Sequence, residues 1–351
     1  MIFASQDIQK KLKGGNMKHF LFKRSVVMVT IFLLAGAIFI FSGEDRITGN
    51  PSHSAAPMKI IPPIEPVQNV LNIDTNTWYE TIQDAIDAAY PGNRLFLEPI
   101  TFEENVVVWK PVLISGDLSK NQVVDGGNSG YTFQITVDGV SIRMITIKND
   151  GGYAGVKIES NSNLVYECII QDCKEGVYLS SGTSANMLAE NEIENSVMKG
   201  ILLYESSENT IVGNTITGCP ENGEMGILLA ESSDNNTIYA NTIEDNNNGI
   251  FISSSSNNMI YHNNFVNNTA SSRIFGLCTG NQWHKGYPTG GNYWSDHTGA
   301  DNYHGANQNI PGSDSACFTL IIFIDTPYYI PYGGGAHDKY PLFLQWNTTC
   351  Y

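Results

Sequence analysis

Four histidines, His284, His297, His304 and His337, fall in one stretch of the chain, with Trp283, Tyr293 and Trp294 among them. Imidazole nitrogens ligate metal ions. Indole and phenol rings offer a flat apolar body with a polar edge, against which a sugar ring can stack. The same stretch, after about residue 270, is rich in Gly and also holds Tyr287, Tyr303, Tyr328, Tyr329, Tyr332 and Tyr340. It reads equally well as an irregular cap whose aromatics cover the end of a domain. A second set of reactive side chains comprises Asp172, Glu175, and Glu190 or Glu192. These carboxylates are placed to line one face of a repeat, although a solvated surface accounts for them as well.

What must position these groups is a repeat. Five segments share the pattern N-x-[aliphatic]-x-x-[N/C]-x-[I/F], beginning at Asn163, Asn186, Asn209, Asn236 and Asn258, with a degenerate copy at Val140. Between copies comes a glycine followed by alternating apolar residues, as in Gly155-Val-Lys-Ile, Gly176-Val-Tyr-Leu, Gly200-Ile-Leu-Leu, Gly226-Ile-Leu-Leu and Gly249-Ile-Phe-Ile. Each unit therefore offers two or three short strands separated by Gly, Asn and Ser turns. So short a strand buries no face alone; stacking one unit on the next buries it and pairs the backbone in parallel ladders. An amide in a turn can both donate and accept, so Cys168, Asn191, Asn214, Asn241 and Asn263, which share one slot, are expected to form a ladder that the cysteine interrupts. The expected fold is all-β, a right-handed parallel β-helix of about six coils between residues 140 and 268. A leucine-rich repeat would need a longer helical return, and the Gly and Asn density excludes a helical solenoid.

A solenoid needs caps, because its terminal coils expose a core and unpaired strand edges. Thr77-Trp-Tyr-Glu80 has capping-box form and precedes Ile82, Ala85, Ile86 and Ala89, which predicts a short N-terminal capping helix. Arg94-Leu-Phe-Leu, Asn105-Val-Val-Val and Pro111-Val-Leu-Ile follow as the first strands, with a turn at Asp125-Gly-Gly127. At the other end the aromatic-rich tail forms an irregular cap.

Charge narrows the partners. The chain carries a net charge of −16, and six Lys or Arg precede Gly43 against the single acid Asp7. The remainder holds 13 basic and 34 acidic residues, net −21. Nucleic acid is excluded as a partner, since its binding is dominated by Lys and Arg contacts to phosphate. Polyuronates are disfavoured on the same ground unless a cation bridges the two. The six cysteines, Cys168, Cys173, Cys219, Cys278, Cys317 and Cys350, contain no C-x-x-C pair, so neither a zinc ribbon nor a redox motif is supported.

Residues 25–41 are seventeen residues without a charge, preceded by Lys18, Lys23 and Arg24. That is an export signal, or an anchor just long enough to span a bilayer, and Met17 resembles a natural start better than Met1. The expected organisation is a signal peptide or anchor at 1–43, a Pro-rich linker at 44–76, the β-helix at 77–270 and a cap at 271–351. The β-helix is thus placed outside the cytoplasm, at the cell surface or in the periplasm. Sequons at Asn235, Asn267 and Asn347 arise readily by chance in an Asn-rich chain.

The repeat, the opening Thr81-Ile-Gln-Asp-Ala-Ile-Asp-Ala-Ala89, the Val124-Asp-Gly-Gly127 turn and the tail motifs Gly290-Gly-Asn-Tyr-Trp-Ser-Asp296, Asp325-Thr-Pro-Tyr328 and Asp338-Lys-Tyr-Pro-Leu342 belong together. Over roughly residues 78–345 this order resembles the NosD-type β-helix proteins, whose repeat region is also called the carbohydrate-binding and sugar-hydrolase domain. The resemblance implies a pectate-lyase-like fold in an archaeal or bacterial surface or periplasmic protein. It further implies binding of glycans, an envelope protein or a metal, including a role in supplying copper. Copper takes His, Cys or Met ligands, for which His284, His297, His304 and His337 are candidates. Calcium is the other divalent metal implied, with Asp296 and Asp301 near the tail motifs. Where the family's ending has a short acidic Gly-Asp-Gly run before Asp325, this chain has an apolar stretch at 315–324.

Lyases, hydrolases and epimerases share such a fold, so a polysaccharide-active enzyme is the alternative to a non-catalytic binding protein, and a structural envelope component is a third reading. Hydrolysis would need paired carboxylates across the scissile bond. The Asn-Thr-Asp, Asp-Asp and Gly-His-Gly signature of polygalacturonase-like enzymes is missing. Beyond the linker the arginines are Arg94, Arg143 and Arg273, none beside an acidic cluster in sequence. No catalytic residue is assigned.

Overall fold

The computed structural model describes residues 68–219 and 223–298, and beyond these 303–304, 307, 310–311, 326–331, 336–342 and 345–346. Every described residue belongs to one compact unit, which lies within Pro63–Tyr351. The export segment, Asp301, Asp314, Asp325, Cys317, Cys350 and residues 315–324 lie outside the described residues. Among the described residues no helix is long and apolar enough to cross a membrane.

The chain winds as a right-handed parallel β-helix of about eight turns. Its strands build three long sheets, here called A, B and C, of ten, nine and eight described strands. A typical coil gives a three-residue strand to sheet A (Leu164–Tyr166), another to sheet B (Ile169–Gln171) and a longer one to sheet C (Glu175–Leu179). The alternation seen in the sequence sets the facing. In sheet A the central residues Ile142, Val165, Leu188, Ile211, Ile238 and Ile260 all point inward and are fully buried. Ile147, Ile170, Ile193, Ile216, Ile243 and Phe265 do the same in sheet B. Stacked aliphatics of this kind contribute about 1.5–3 kcal/mol each on burial. Coils earlier than the Asn-marked repeat, including the strand Thr101–Glu103, extend the solenoid beyond the six expected from sequence.

The corners explain the repeat. Between sheets A and B the chain turns in two residues, the first left-handed and the second usually Asn: Glu190-Asn191, Gly213-Asn214, Ala240-Asn241 and His262-Asn263. Each buried amide receives its neighbour's backbone and side-chain N–H. Asn214 Oδ1 accepts from Asn191 N and Nδ2 at 2.9 Å, while its own Nδ2 donates to Leu188 O and Asn241 Oδ1, both at 2.9 Å. The ladder runs from Asn191 through Asn263 to Asn292. Cys168 begins it. Its backbone N–H donates to Asn191 Oδ1 at 3.0 Å, and its buried thiol, pushed up to about 12 by desolvation, faces the carbonyls of Ile142 and Tyr166. A second ladder, Asn163–Asn186–Asn209–Asn236–Asn258–Asn281, lines the corner from sheet C to sheet A. The corner from B to C carries a mixed column that includes Cys173, Ser196, Cys219, Asn246 and Asn268. Cys168, Cys173 and Cys219 are buried free thiols, and Cys278 is a half-buried one.

At the N-terminal end, β1 (Val70–Asn72) pairs antiparallel with both β2 (Thr77–Tyr79) and β3 (Arg94–Leu97), and α1 (Ile82–Ala88) buries Ile82, Ala85 and Ile86 over the opening. The helix is capped by Thr81, whose hydroxyl accepts from Asp84 N, not by Thr77 as the capping-box pattern suggested. Thr77, Trp78 and Tyr79 are strand formers with a partner strand available, and that pairing overrides the local signal. The Glu104 carboxylate of the first coil completes the cap by accepting from Ile82 N and Gln83 N.

Candidate functional site

In the tail, Trp283 and Trp294 are buried, each 1% exposed. Trp294 lies sandwiched between Phe265 at 4.3 Å and Tyr328 at 4.0 Å, with interplanar angles of 7° and 8°. Neither indole presents a face on which a sugar could stack; the ring faces serve the core. Tyr293 is half-buried and extends sheet B beside Asn264.

Asp338, which the sequence reading left unused, organises this cap. Its fully buried carboxylate accepts from Asn292 N at 2.6 Å, Trp294 Nε1 at 3.0 Å and Tyr340 N at 3.0 Å. A side chain at Gly291 would collide with the same carboxylate. The Gly290–Asp296 and Asp338–Leu342 motifs are therefore halves of one lock on the last rung of the Asn ladder.

Among the described residues His284, His297 and His337 do not gather into one cluster, although His337 lies near enough to His284 for its charge to help lower the His284 pKa. His284 Nδ1 accepts from Gly286 N, His297 Nε2 meets Thr326 O, and the exposed His337 packs beside Tyr329. Asp296, exposed, accepts from the Tyr328 hydroxyl. Asp301 and the side chain of His304 lie outside the described residues. Among the described residues no three His, Cys, Asp or Glu side chains group as a metal site. Burial pushes the thiols of Cys168, Cys173 and Cys219 up to about 12.

Burial pushes Asp338 up to about 7 and pushes His262, stacked on Trp346, down to about 4. The two act with opposite sign. Asp338 contributes stability that is full below about 4 and lost as pH rises through about 7. His262 contributes stability that is full above about 6.5 and lost as pH falls through about 4. In the wild type the two offset each other across that window. In Asp338→Asn the contributions of His262 and of His284, which burial also lowers, should no longer be offset by Asp338, so urea midpoints measured from pH 7 to 4 should fall by the equivalent of about 2–3 kcal/mol. A variant as flat with pH as the wild type would refute the assignment.

The outward faces of the three sheets differ in chemistry. Sheet B presents Glu103, Asp125, Lys148, Gln171, Glu194, Thr217 and Glu244 in one row. Sheet C presents Gln134, Lys157, Tyr178, Leu202, Leu228, Phe251 and Arg273 in its central row. Across the strands of sheet C the one acid is Glu175, paired with Lys199 at 3.6 Å. The net negative charge therefore resides on sheet B and the corners, and sheet C is an apolar and aromatic stripe with a cation at each end. At its N-terminal side Lys157 lies over Tyr131 at 4.7 Å and Tyr178 at 5.7 Å, and Lys174 lies over the exposed Tyr153 at 5.3 Å. Tyr204 and Phe275 flank the stripe on its other side and are exposed. The pattern was written in the sequence as the second residue after each column glycine: Lys157, Tyr178, Leu202, Leu228 and Phe251. Among the first-chosen carboxylates, Glu175 is on sheet C and Glu192 on sheet B, whereas Asp172 and Glu190 sit at different corners. Asp172 is bridged to Lys148 at 3.2 Å and Glu190 lies 3.4 Å from the Tyr166 hydroxyl, so the four do not form one site.

The family model described as "Periplasmic copper-binding protein (NosD)" matches residues 86–299. No curated protein matches the chain. Among solved structures, pectate lyase Pel9A is 13% identical with a TM-score of 0.43, over 74% of this chain and 89% of that one. The alginate lyase from Paenibacillus sp. str. FPU-7 is 17% identical with a TM-score of 0.37, over 60% of this chain and 94% of that one. The periplasmic alginate epimerase AlgG is 19% identical with a TM-score of 0.39, over 59% of this chain and 55% of that one. At these identities the likeness concerns the fold alone.

Proposed function

This chain belongs to the NosD family, and from that premise we propose that it is an exported, non-catalytic β-helix protein that lays a linear glycan along the outward face of sheet C. The observation that carries the reading is the sheet C row, in which Tyr178, Leu202, Leu228 and Phe251 run uninterrupted between Lys157 and Arg273. Consecutive coils place these side chains about 4.8 Å apart along the solenoid axis. That is a long, narrow, rigid contact suited to a chain molecule. Rings and aliphatic side chains meet the C–H faces of sugars, while Lys and Arg donate to hydroxyl or carboxylate oxygens. A contiguous stripe of half-buried apolar side chains on the outward face of a solenoid, flanked by the exposed Tyr204 and Phe275, supports an interaction surface. The family description, as periplasmic, accords with export.

Catalysis lacks support on this face. Glu175 is tied to Lys199 and Glu159 to Lys157, which leaves no pair of carboxylates to flank a scissile bond. The copper reading rests on the family description.

The test is retention of the purified protein on a panel of immobilised neutral and acidic polysaccharides. At least one should bind, and Tyr178→Ala with Phe251→Ala should weaken it at least tenfold. A blank panel, or a variant that binds as the wild type does, would sink the reading. Release of shortened products would replace it with the enzyme alternative.

A further inference from the structure

The corner between sheets B and C is uneven. The turn 172–174 has three residues, whereas the neighbouring turns 149–153 and 195–198 have five and four. The short turn leaves a cleft of about 250 Å³ between its longer neighbours. One lip is Asp150 with Gly151 and Gly152, the floor is Asp172 with the buried Cys173, and the other lip is Val197 and Met198. Lys174 closes the side toward sheet C, where it meets the Tyr153 ring at 5.3 Å.

We infer that this cleft is a single-ring sugar subsite, receiving one pyranose from the end or a branch of the glycan proposed for sheet C, and so rests on that reading. Three features carry it. Its volume is below the roughly 300–1,000 Å³ of pockets that enclose drug-sized ligands, which suits one ring. Its chemistry is two-sided: Val197 (62% exposed) and Met198 (39% exposed) offer apolar contact for a C–H face, while Asp150 and Asp172 accept from hydroxyls and Lys174 donates. Its place is continuous with the stripe, because Tyr153 packs against Tyr131 at 5.9 Å and Lys157 lies over Tyr131.

The cleft geometry also sets roles. Asp172 is anchored by Lys148 Nζ and Gln171 Nε2, each at 3.2 Å, so its carboxylate is a fixed acceptor. Asp150 is exposed and forms no ion pair among the described residues, so it is the acceptor that a sugar can engage on entry. Lys174, alongside the two carboxylates, lowers the net charge of the rim and disfavours a simple cation as the occupant.

The experiment uses the full protein with two probes: a panel of methyl pyranosides followed by saturation-transfer NMR, and the polysaccharide that the sheet C test retains. At least one methyl glycoside should bind. Asp150→Ala and the cleft-filling Val197→Trp should each weaken it at least tenfold, while Tyr178→Ala leaves it unchanged and weakens only the polymer. If the polymer binds but no methyl glycoside does, or if the two cleft variants bind one normally, the subsite is overturned and the stripe stands. If glycosides bind in the cleft and no polymer is retained, the stripe fails and the cleft is a site for a free monosaccharide, which overturns its role as a subsite of that glycan. If neither probe binds, both fail.

Discussion

Asn214→Ala should cost about 3–5 kcal/mol of stability, although it removes one small side chain from a corner. The reason lies in what remains. Asn191 N–H, which donates to Asn214 Oδ1 at 2.9 Å, loses its acceptor, and Leu188 O loses the Asn214 Nδ2 donor, also at 2.9 Å. Both groups are buried among stacked coils where water does not reach, and an unsatisfied buried group costs about 1–3 kcal/mol. Asn191 Nδ2 and Asn241 Oδ1 each lose a further partner. Asn214→Asp should do no better, since a carboxylate restores the acceptor but sets its second oxygen against Leu188 O. Chemical denaturation followed by circular dichroism and tryptophan fluorescence measures the loss. A cost under about 1 kcal/mol would mean that the ladder marks the corner without holding it.

Gly200→Val should be more damaging still, abolishing soluble folded protein or costing more than about 4 kcal/mol. A Cβ at this position would collide with Ile216 Cγ2 and stand 2.7 Å from the carbonyl oxygen of Gly226. The second contact is backbone of the next coil, and it cannot withdraw without lengthening the sheet ladders on either side. Gly176 and Gly226 meet the carbonyls of Gly200 and Gly249 in the same way, so the glycine column is steric and not a matter of turn freedom. Gly182 is the control. It has a φ of +80° but nothing within 4 Å of its Cβ, so Gly182→Ala should cost only the left-handed strain, about 1–2 kcal/mol. Soluble yield and thermal midpoints of the two variants decide the matter. Equal behaviour would place the glycine column's importance elsewhere.

The solenoid was legible because its marks are local. From Asn163 to Asn263, each Asn of the first two columns follows a left-handed residue and stands two positions before an inward apolar residue, so one pass along the chain reveals the period. The third column escaped because Cys173, Ser196, Cys219 and Asn246 share a slot without sharing a residue type. The earliest coils were legible as first strands and a degenerate copy at Val140, but not as regular coils, because they close their corners with residues such as Ile145 and Gln122 and carry no Asn in that slot. In the tail, Trp283 and Trp294 looked available because an indole in a Gly-rich stretch reads alike whether it faces solvent or core. What buries Trp294 is Tyr328, 34 positions away, and what fixes it is Asp338, 44 positions away. Neighbours so distant leave no spacing to read. The surface on sheet C lay in the quoted glycine motifs, but its meaning depends on which coil stacks on which.

The unequal corners carry a consequence for how such a molecule can change. From sheet A to sheet B the passage takes two residues in the coils that turn at Glu167, Glu190, Gly213, Ala240 and His262. From B to C it takes three at 172–174 and 245–247, five at 149–153 and seven at 218–224, with no change in strand register on either side. The first corner is a fixed hinge pin and the second a socket that accepts inserts of different length. New loops can therefore be grafted at the second corner, coil by coil, while the scaffold keeps its pitch. Each graft would reshape the rim beside the stripe, giving one rigid rod a series of interchangeable edges.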